Sequence, residues 1–170
     1  MSAQDSKLFV ISGPSGAGKG TLVTRVRERR SNLGLTVSAT TRAPRKGEVD
    51  GVNYFFLTRE EFDRRVANGE FVEWAEVHGN CYGTLVSEVT SKLASGASLI
   101  LEIDVQGALQ VKERFPEAVL IFIKPPSLEV LRERLVGRGT ETPETIELRM
   151  ANAADELALA DRYDDVVAVA

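Results

Sequence analysis

A chain of 170 residues, 43% of them hydrophobic, can bury one core of ordinary size and leaves little room for a second independent domain. Its formal net charge of −4 gives no general attraction to nucleic acid or anionic membrane, so any anion site must be local. One cysteine, Cys81, and one histidine, His78, rule out an intramolecular disulfide. They also make a Cys/His zinc site or a Ser-His-Asp triad a poor fit, and they suit a reducing, cytoplasmic setting. The opening stretch, Met1 to Ser6, is polar, and no apolar run has the length of a membrane span or of a signal-peptide core with its flanks.

Leu8 to Ser12 reads as a strand buried on both faces, since its apolar residues, Leu8 to Ile11, are continuous, as in a parallel sheet. It feeds Gly13-Pro14-Ser15-Gly16-Ala17-Gly18-Lys19-Gly20-Thr21, which opens a helix predicted over about Lys19 to Arg30. Backbone N–H groups of such a turn curl around an anion, the helix end adds partial positive charge, and Lys19 can reach terminal phosphate oxygens. The spacing G-x-x-x-x-G-K is complete; an ordinary glycine-rich turn is the plain alternative. The next position, usually a Ser or Thr with its hydroxyl on Mg²⁺, is Gly20. Thr21 lies about 100° further round the helix and faces elsewhere, so no direct metal ligand is assigned here.

From Thr36 to Leu57 the composition turns to Thr, Arg, Gly and aromatics without a helical period, which predicts a β-rich insertion. Arg59 to Asn68 is predicted as a short helix, and Gly69 to Trp74 returns to alternation. Leu99 to Ile103 and Val119 to Ile123 are further strands between helical patterns, and Val166 to Val169 is a last one. Alternating strands and helices predict an α/β fold, a parallel sheet of the P-loop NTPase type flanked by helices, with ligands beyond the carboxyl ends of the strands. Glu102 and Asp104, two apart on a strand, are expected to point to one face near the phosphate; the alternative for Asp104 is a helix N-cap. Leu128 to Val136 and Glu144 to Leu159 are amphipathic helices around Gly137-Arg138-Gly139, the makings of a hinged lid or of a solvated turn.

A phosphate loop identifies a nucleotide and leaves the reaction open among GTPase switches, ATPase motors and small-molecule kinases. Arg42-Ala-Pro-Arg45, with Tyr54 downstream, suits bidentate capture of a second phosphate, although two arginines alone could be surface charge. The run from Ser38 through Arg42, Arg45 and Glu48 to Tyr54, then Glu70-Phe-Val-Glu73-Trp74, Tyr82-Gly-Thr84, Glu102-Ile-Asp104-Val-Gln-Gly107 and Gly137 to Thr142, resembles guanylate kinase. The resemblance spans about Phe9 to Val167. It implies one domain: a core of 1–35, 95–133 and 150–170, a GMP-binding insertion of 36–94 and a lid of 134–149.

By that resemblance, Arg42, Arg45, Tyr54 and Tyr82 would hold the GMP phosphate, with Glu48 and Glu102 in the same site, and Ser38, Glu73, Thr84 and Asp104 would read guanine. Arg134, Arg138 and Arg149 would close over the transferring phosphoryl group. ATP and GMP are the implied substrates, and Mg²⁺ the implied cofactor, carried by the ATP phosphates with Glu102 or Asp104 reaching it through water. Guanine presents an acceptor at O6 beside donors at N1 and N2, which a carboxylate and a hydroxyl can match. The family usually continues past a strand like Asp165-Val-Val167 into an Asn-containing loop and a closing helix, whereas this sequence stops at Ala170. Without those parts weaker ATP binding is expected. The rivals are a partner-binding module on the same fold and a kinase for another monophosphate. Lys19, Arg138 and Arg149 count against the first, Glu73 and Thr84 against the second. Nothing in the sequence fixes the oligomeric state or gives His78 and Cys81 a role.

Overall fold

The computed structural model describes residues 6–169; the polar opening through position 5 and the final residue lie outside them. β1 (Leu8–Ser12) is the middle strand of a five-stranded sheet. The order is β2 (Leu33–Leu35), β7 (Ser98–Glu102), β1, β8 (Val119–Lys124) and β9 (Asp165–Ala168), with every pairing parallel. Successive side chains of β1 serve opposite faces: Val10 joins Leu99, Leu101, Leu120 and Phe122 on one, and Ile11 joins Ile100 and Ile123 on the other. Because both faces are covered, Leu8 to Ile11 include no polar residue, as the sequence indicates, and Ser12 is buried where the strand ends.

Helices occupy both faces. α1 (Lys19–Arg29) packs Val23 against Ile11, and α4 (Val105–Arg114) packs Val105, Ala108 and Val111 against the opposite cluster. The sequence offers no sign of β2, whose three residues are too few for a period and gain their place by pairing with Ser98–Ile100.

The β-rich insertion is a second sheet made of β3 (Ala39–Thr40), β4 (Phe55–Phe56), β5 (Phe71–Val77) and β6 (Asn80–Leu85), in the order β4-β3-β6-β5. α2 (Arg59–Ala67) covers it, capped by Thr58, whose hydroxyl accepts from the Glu61 N–H, and Phe62 stacks on Phe71 at 4.4 Å between ring centroids. α3 (Val86–Ala94) leads back, packing Val89 into the main core. Side chains tie the second sheet to the first. Glu88 accepts from the Val37 N–H at 2.9 Å, and Lys92 donates to the Leu35 carbonyl at 3.0 Å. Arg114 on α4 donates to the carbonyls of Gly69 and Phe71 at 2.6 and 3.2 Å. α5 (Leu128–Gly137) and α6 (Pro143–Ala158) form a hairpin with its own small core of Leu131, Leu135, Ile146 and Ala153.

β5 and β6 approach so closely at Gly83 that a Cβ there would lie 2.7 Å from the Phe71 ring and 2.8 Å from the Glu73 carbonyl. Gly83→Ala should therefore lower unfolding stability by about 1–3 kcal/mol, read from the urea midpoint, because neither the ring nor the backbone can move aside freely. An unchanged midpoint would show that this contact relaxes without cost.

Candidate active site

β1 ends at Ser12 and the chain turns at once through the glycine loop. Three neighbours crowd it at Gly13, Gly16 and Gly18. A Cβ at Gly13 would stand 2.1 Å from the Ile123 carbonyl oxygen, one at Gly16 3.0 Å from Leu131, and one at Gly18 3.2 Å from Val169. Gly18, which caps α1, has φ 98°, a left-handed conformation that glycine adopts without penalty. The loop is thus wedged between β8, α5 and the end of β9, with the first N–H groups of α1 unpaired by any capping side chain.

In front of it lies a cavity of about 470 Å³ lined by Gly13, Pro14, Ser15, Gly16, Gly18, Lys19, Gly20 and Thr21, together with Glu102, Asp104, Arg138 and Glu156. Ala17 is buried beneath. Lys19 Nζ rests on the Gly13 carbonyl at 2.5 Å, curled back over its own loop. Arg149 reaches from α6 to the Ser15 hydroxyl at 2.7 Å and pairs with Glu141 at 3.3 Å. Arg134, expected over the phosphate, donates instead to the carbonyls of Gly16 and Val169, at 3.1 and 3.4 Å, so it braces the loop from its carbonyl side.

Glu102 and Asp104 both line this cavity, although the two-residue alternation expected for them does not hold. β7 ends at Glu102, and Asp104 is the N-cap of α4, its carboxylate accepting from the Gly107 N–H at 2.7 Å. An unpaired helix N–H captures the carboxylate more strongly than the strand pattern could direct it. The cap places Asp104 where the second sheet meets the first. A Cβ at Gly107 would lie 3.0 Å from Asp104 Oδ1 and 3.4 Å from Glu73 Oε2, so the two carboxylates flank one glycine. Glu73 Oε1 in turn accepts from the Thr84 hydroxyl at 2.7 Å across the β5–β6 pairing.

The remaining candidates lie on the second sheet and its loop. Arg42 forks onto both oxygens of Glu48 at 3.0 Å and stacks over the Tyr54 ring at 5.1 Å, with Tyr82 edge-on to Tyr54 at 6.2 Å. The Glu48 hydrogen bonds push the guanidinium pKa further up, and Arg42 holds the Glu48 carboxyl below its usual range. Glu48 also accepts from the Arg45 N–H at 2.6 Å, while the Arg45 residue is exposed. Ser38 is half-buried, and its carbonyl accepts from the Phe55 N–H at 2.8 Å, joining β3 to β4.

A cavity that seats a glycine loop beneath a lysine, joined through Asp104 to a carboxylate–hydroxyl pair and an arginine–tyrosine cluster, has its counterpart among known proteins. The guanylate kinase family model matches residues 5–169. The chain belongs to the guanylate kinase family. It is 54% identical over 167 residues to the guanylate kinase of Halalkalibacterium halodurans, covering 98% of this chain and 82% of that one. To the guanylate kinase of Gloeobacter violaceus it is 58% identical over 162 residues, 95% and 79% of the two chains. The crystal structure of guanylate kinase from Anaplasma phagocytophilum superposes with a TM-score of 0.66 at 39% identity, over 95% of this chain and 76% of that one.

Sequence reasoning missed Glu156. Its only signal is its position seven residues after Arg149, about two helical turns along the same face. Burial is the main cause that raises the Glu73 carboxyl above the ordinary glutamate range, with the Asp104 charge adding to it. A carboxyl raised on folding keeps its proton longer in the folded chain than in the unfolded one. Its contribution to stability is therefore full below the ordinary glutamate value and declines as pH rises through the raised one. Glu73→Gln removes that decline while leaving an oxygen to accept from Thr84. In urea unfolding, the stability of the variant relative to the parent should thus improve between about pH 4 and pH 7; a difference independent of pH would exclude burial of the charge as a cost.

Proposed function

We propose that this chain transfers the γ-phosphoryl group of ATP to GMP, giving ADP and GDP, in purine nucleotide metabolism. The observation that carries the reading is the Glu73–Thr84 pair meeting Asp104 at the edge of the phosphate-loop cavity. A guanine edge turned toward that pair offers N1 and N2 donors to carboxylate oxygens and O6 to the Thr84 hydroxyl. Adenine reverses donor and acceptor there and would leave buried groups unpaired, the strongest kind of discrimination.

With guanine so held, the GMP phosphate falls to Arg42, Arg45, Tyr54 and Tyr82. Glu48 keeps the Arg42 fork extended over Tyr54 until a phosphate, with similar oxygen geometry, takes its place. The acceptor oxygen on GMP is already anionic near neutral pH, so the reaction needs no general base. Charge stabilisation comes from Lys19, released from the Gly13 carbonyl, together with Arg138 and Arg149 on the helical hairpin, whose closure would exclude water. Arg134 would act on the loop's shape through its carbonyl contacts.

Mg²⁺ suits these donors. Among the described residues no group of three or more His, Cys, Asp or Glu could cage a metal, and Glu102 and Asp104 offer the hard oxygens that hold a hydrated ion through its waters. When bound with ATP, the ion neutralises charge on the transferring group. A cytoplasmic setting fits the composition, and no helix among the described residues is long and apolar enough to cross a membrane.

ATP consumption, followed by ADP release with Mg²⁺ and GMP, AMP, UMP or no acceptor, tests the reading. Consumption is expected only with GMP. Lys19→Ala should cost on the order of a hundredfold or more in turnover while GMP still binds, and Glu73→Gln should raise the KM for GMP on the order of tenfold with that for ATP unchanged. Equal use of AMP, or equal loss for both substrates in Glu73→Gln, would overturn the guanine assignment.

A further inference from the structure

The turn between α5 and α6 is exposed from Val136 through Thr140 and again from Thr142 through Glu144, and between them Glu141 alone is withdrawn, its side chain 13% exposed. A glutamate gives up water at little cost only where another group answers its charge. That group is Arg149, about two turns into α6, whose Nε lies 3.3 Å from Glu141 Oε2. The same guanidinium donates from Nη1 to the Ser15 hydroxyl at 2.7 Å, and Ser15 lines the phosphate-loop cavity. One arginine therefore joins the turn, the helix and the glycine loop.

Its two contacts differ in kind. The bond from Nη1 to Ser15 is short, while the buried Nε has no hydrogen-bond partner among the described residues, so charge at close range ties it to Glu141. Arg132 and Glu147 also pair between the two helices, yet their side chains are 47% and 65% exposed, where solvent screening leaves an ion pair of little consequence. Withdrawal from solvent and the link onward to the glycine loop set the Glu141 pair apart.

We propose that Glu141 is a positioning residue for Arg149, holding the guanidinium by its inner nitrogen so that Nη1 stays at the glycine loop, ready to exchange the Ser15 hydroxyl for an oxygen of the transferring phosphoryl group. Arg149 is half-buried, and without that counter-charge its long side chain gains rotamers that turn away from the loop. The inference rests on reading Arg149 as an arginine that acts on the transferring group. Such an arginine works hardest as charge redistributes during transfer, so the effect of losing Glu141 falls on kcat.

Steady-state kinetics with ATP and GMP, and thermal melting, of Glu141→Gln, Glu141→Asp, Arg149→Ala, the Glu141→Gln/Arg149→Ala double variant and Glu147→Gln test it. Glu141→Gln should lower kcat about tenfold with both KM values within about twofold, and Glu141→Asp, which keeps the charge, should regain part of that loss. Arg149→Ala should lower kcat about a hundredfold, and the double variant should lie within about twofold of it, because the carboxylate acts through the arginine. Glu147→Gln should leave kcat unchanged. An unchanged kcat in Glu141→Gln overturns the inference, and so does a raised one, which would mark the pair as a restraint on Arg149. It is overturned equally by a double variant whose loss is the product of the single ones, or by a Glu147→Gln protein as impaired as Glu141→Gln. A loss in Glu141→Gln that vanishes when the assay is run well below a lowered melting midpoint also overturns it, since Glu141 would then only hold the fold. Full turnover in Arg149→Ala refutes the reading of Arg149 itself, whereas a loss there beside an unaffected Glu141→Gln removes only this inference.

Discussion

Everything in the site depends on β1 being hydrogen-bonded on both sides by parallel strands. Pairing with β7 sets Ile11 opposite Glu102, and pairing with β8 sets Ser12 opposite Phe122, so three carboxyl ends finish at one edge. Only there can a loop emerge from the middle of the sheet with its N–H groups free, because elsewhere along β1 both neighbours occupy them. The crowding of Gly13 by Ile123 is the same constraint seen from the loop. A side chain would push the loop off β8 and away from the helix end that gives it its charge.

Asp104 is the joint between the two halves. As a cap it satisfies an N–H of α4, and as a charge it faces both Glu73 on the second sheet and the phosphate-loop cavity. Arg114 at the other end of α4 grips β5 through two carbonyls, and Glu88 and Lys92 on α3 grip the linker near Val37 and Leu35. Helices of the main core therefore hold the second sheet by long polar side chains as well as by apolar packing, with Val72 of β5 buried beside Val105, Ala108 and Val111 of α4.

Charge is handled differently in the two regions. Around Arg42 the ions are paired and reach solvent, so Glu48 ionises readily and the arginine is held ready for an anion. Around Glu73 a carboxylate is half-buried against another acid, supported by hydrogen bonds from Thr84. Such a group costs folding stability at neutral pH, and the cost makes sense where a ligand's donors are to take up the carboxylate's spare lone pairs.

Local chemistry determined much of this protein from sequence alone. The unbroken apolar run at Leu8–Ile11, the glycine spacing up to Lys19, the helical periods of α2, α5 and α6 and the ordered motifs from Ser38 to Thr142 need only neighbouring residues to be read. They carried the fold, the family and the expectation that Glu73 and Thr84 serve one site. What tertiary structure decided involves partners far apart in the chain. β2 exists only through pairing with β7, and Arg134 turns to carbonyls 118 and 35 residues away. Asp104 takes a helix N–H in place of a strand face, and Glu156 comes to line the glycine-loop cavity only because α6 packs beside it. Periodicity reports which face a residue shares with its neighbours; which distant donor or charge it meets there is set by packing, and that no local pattern records.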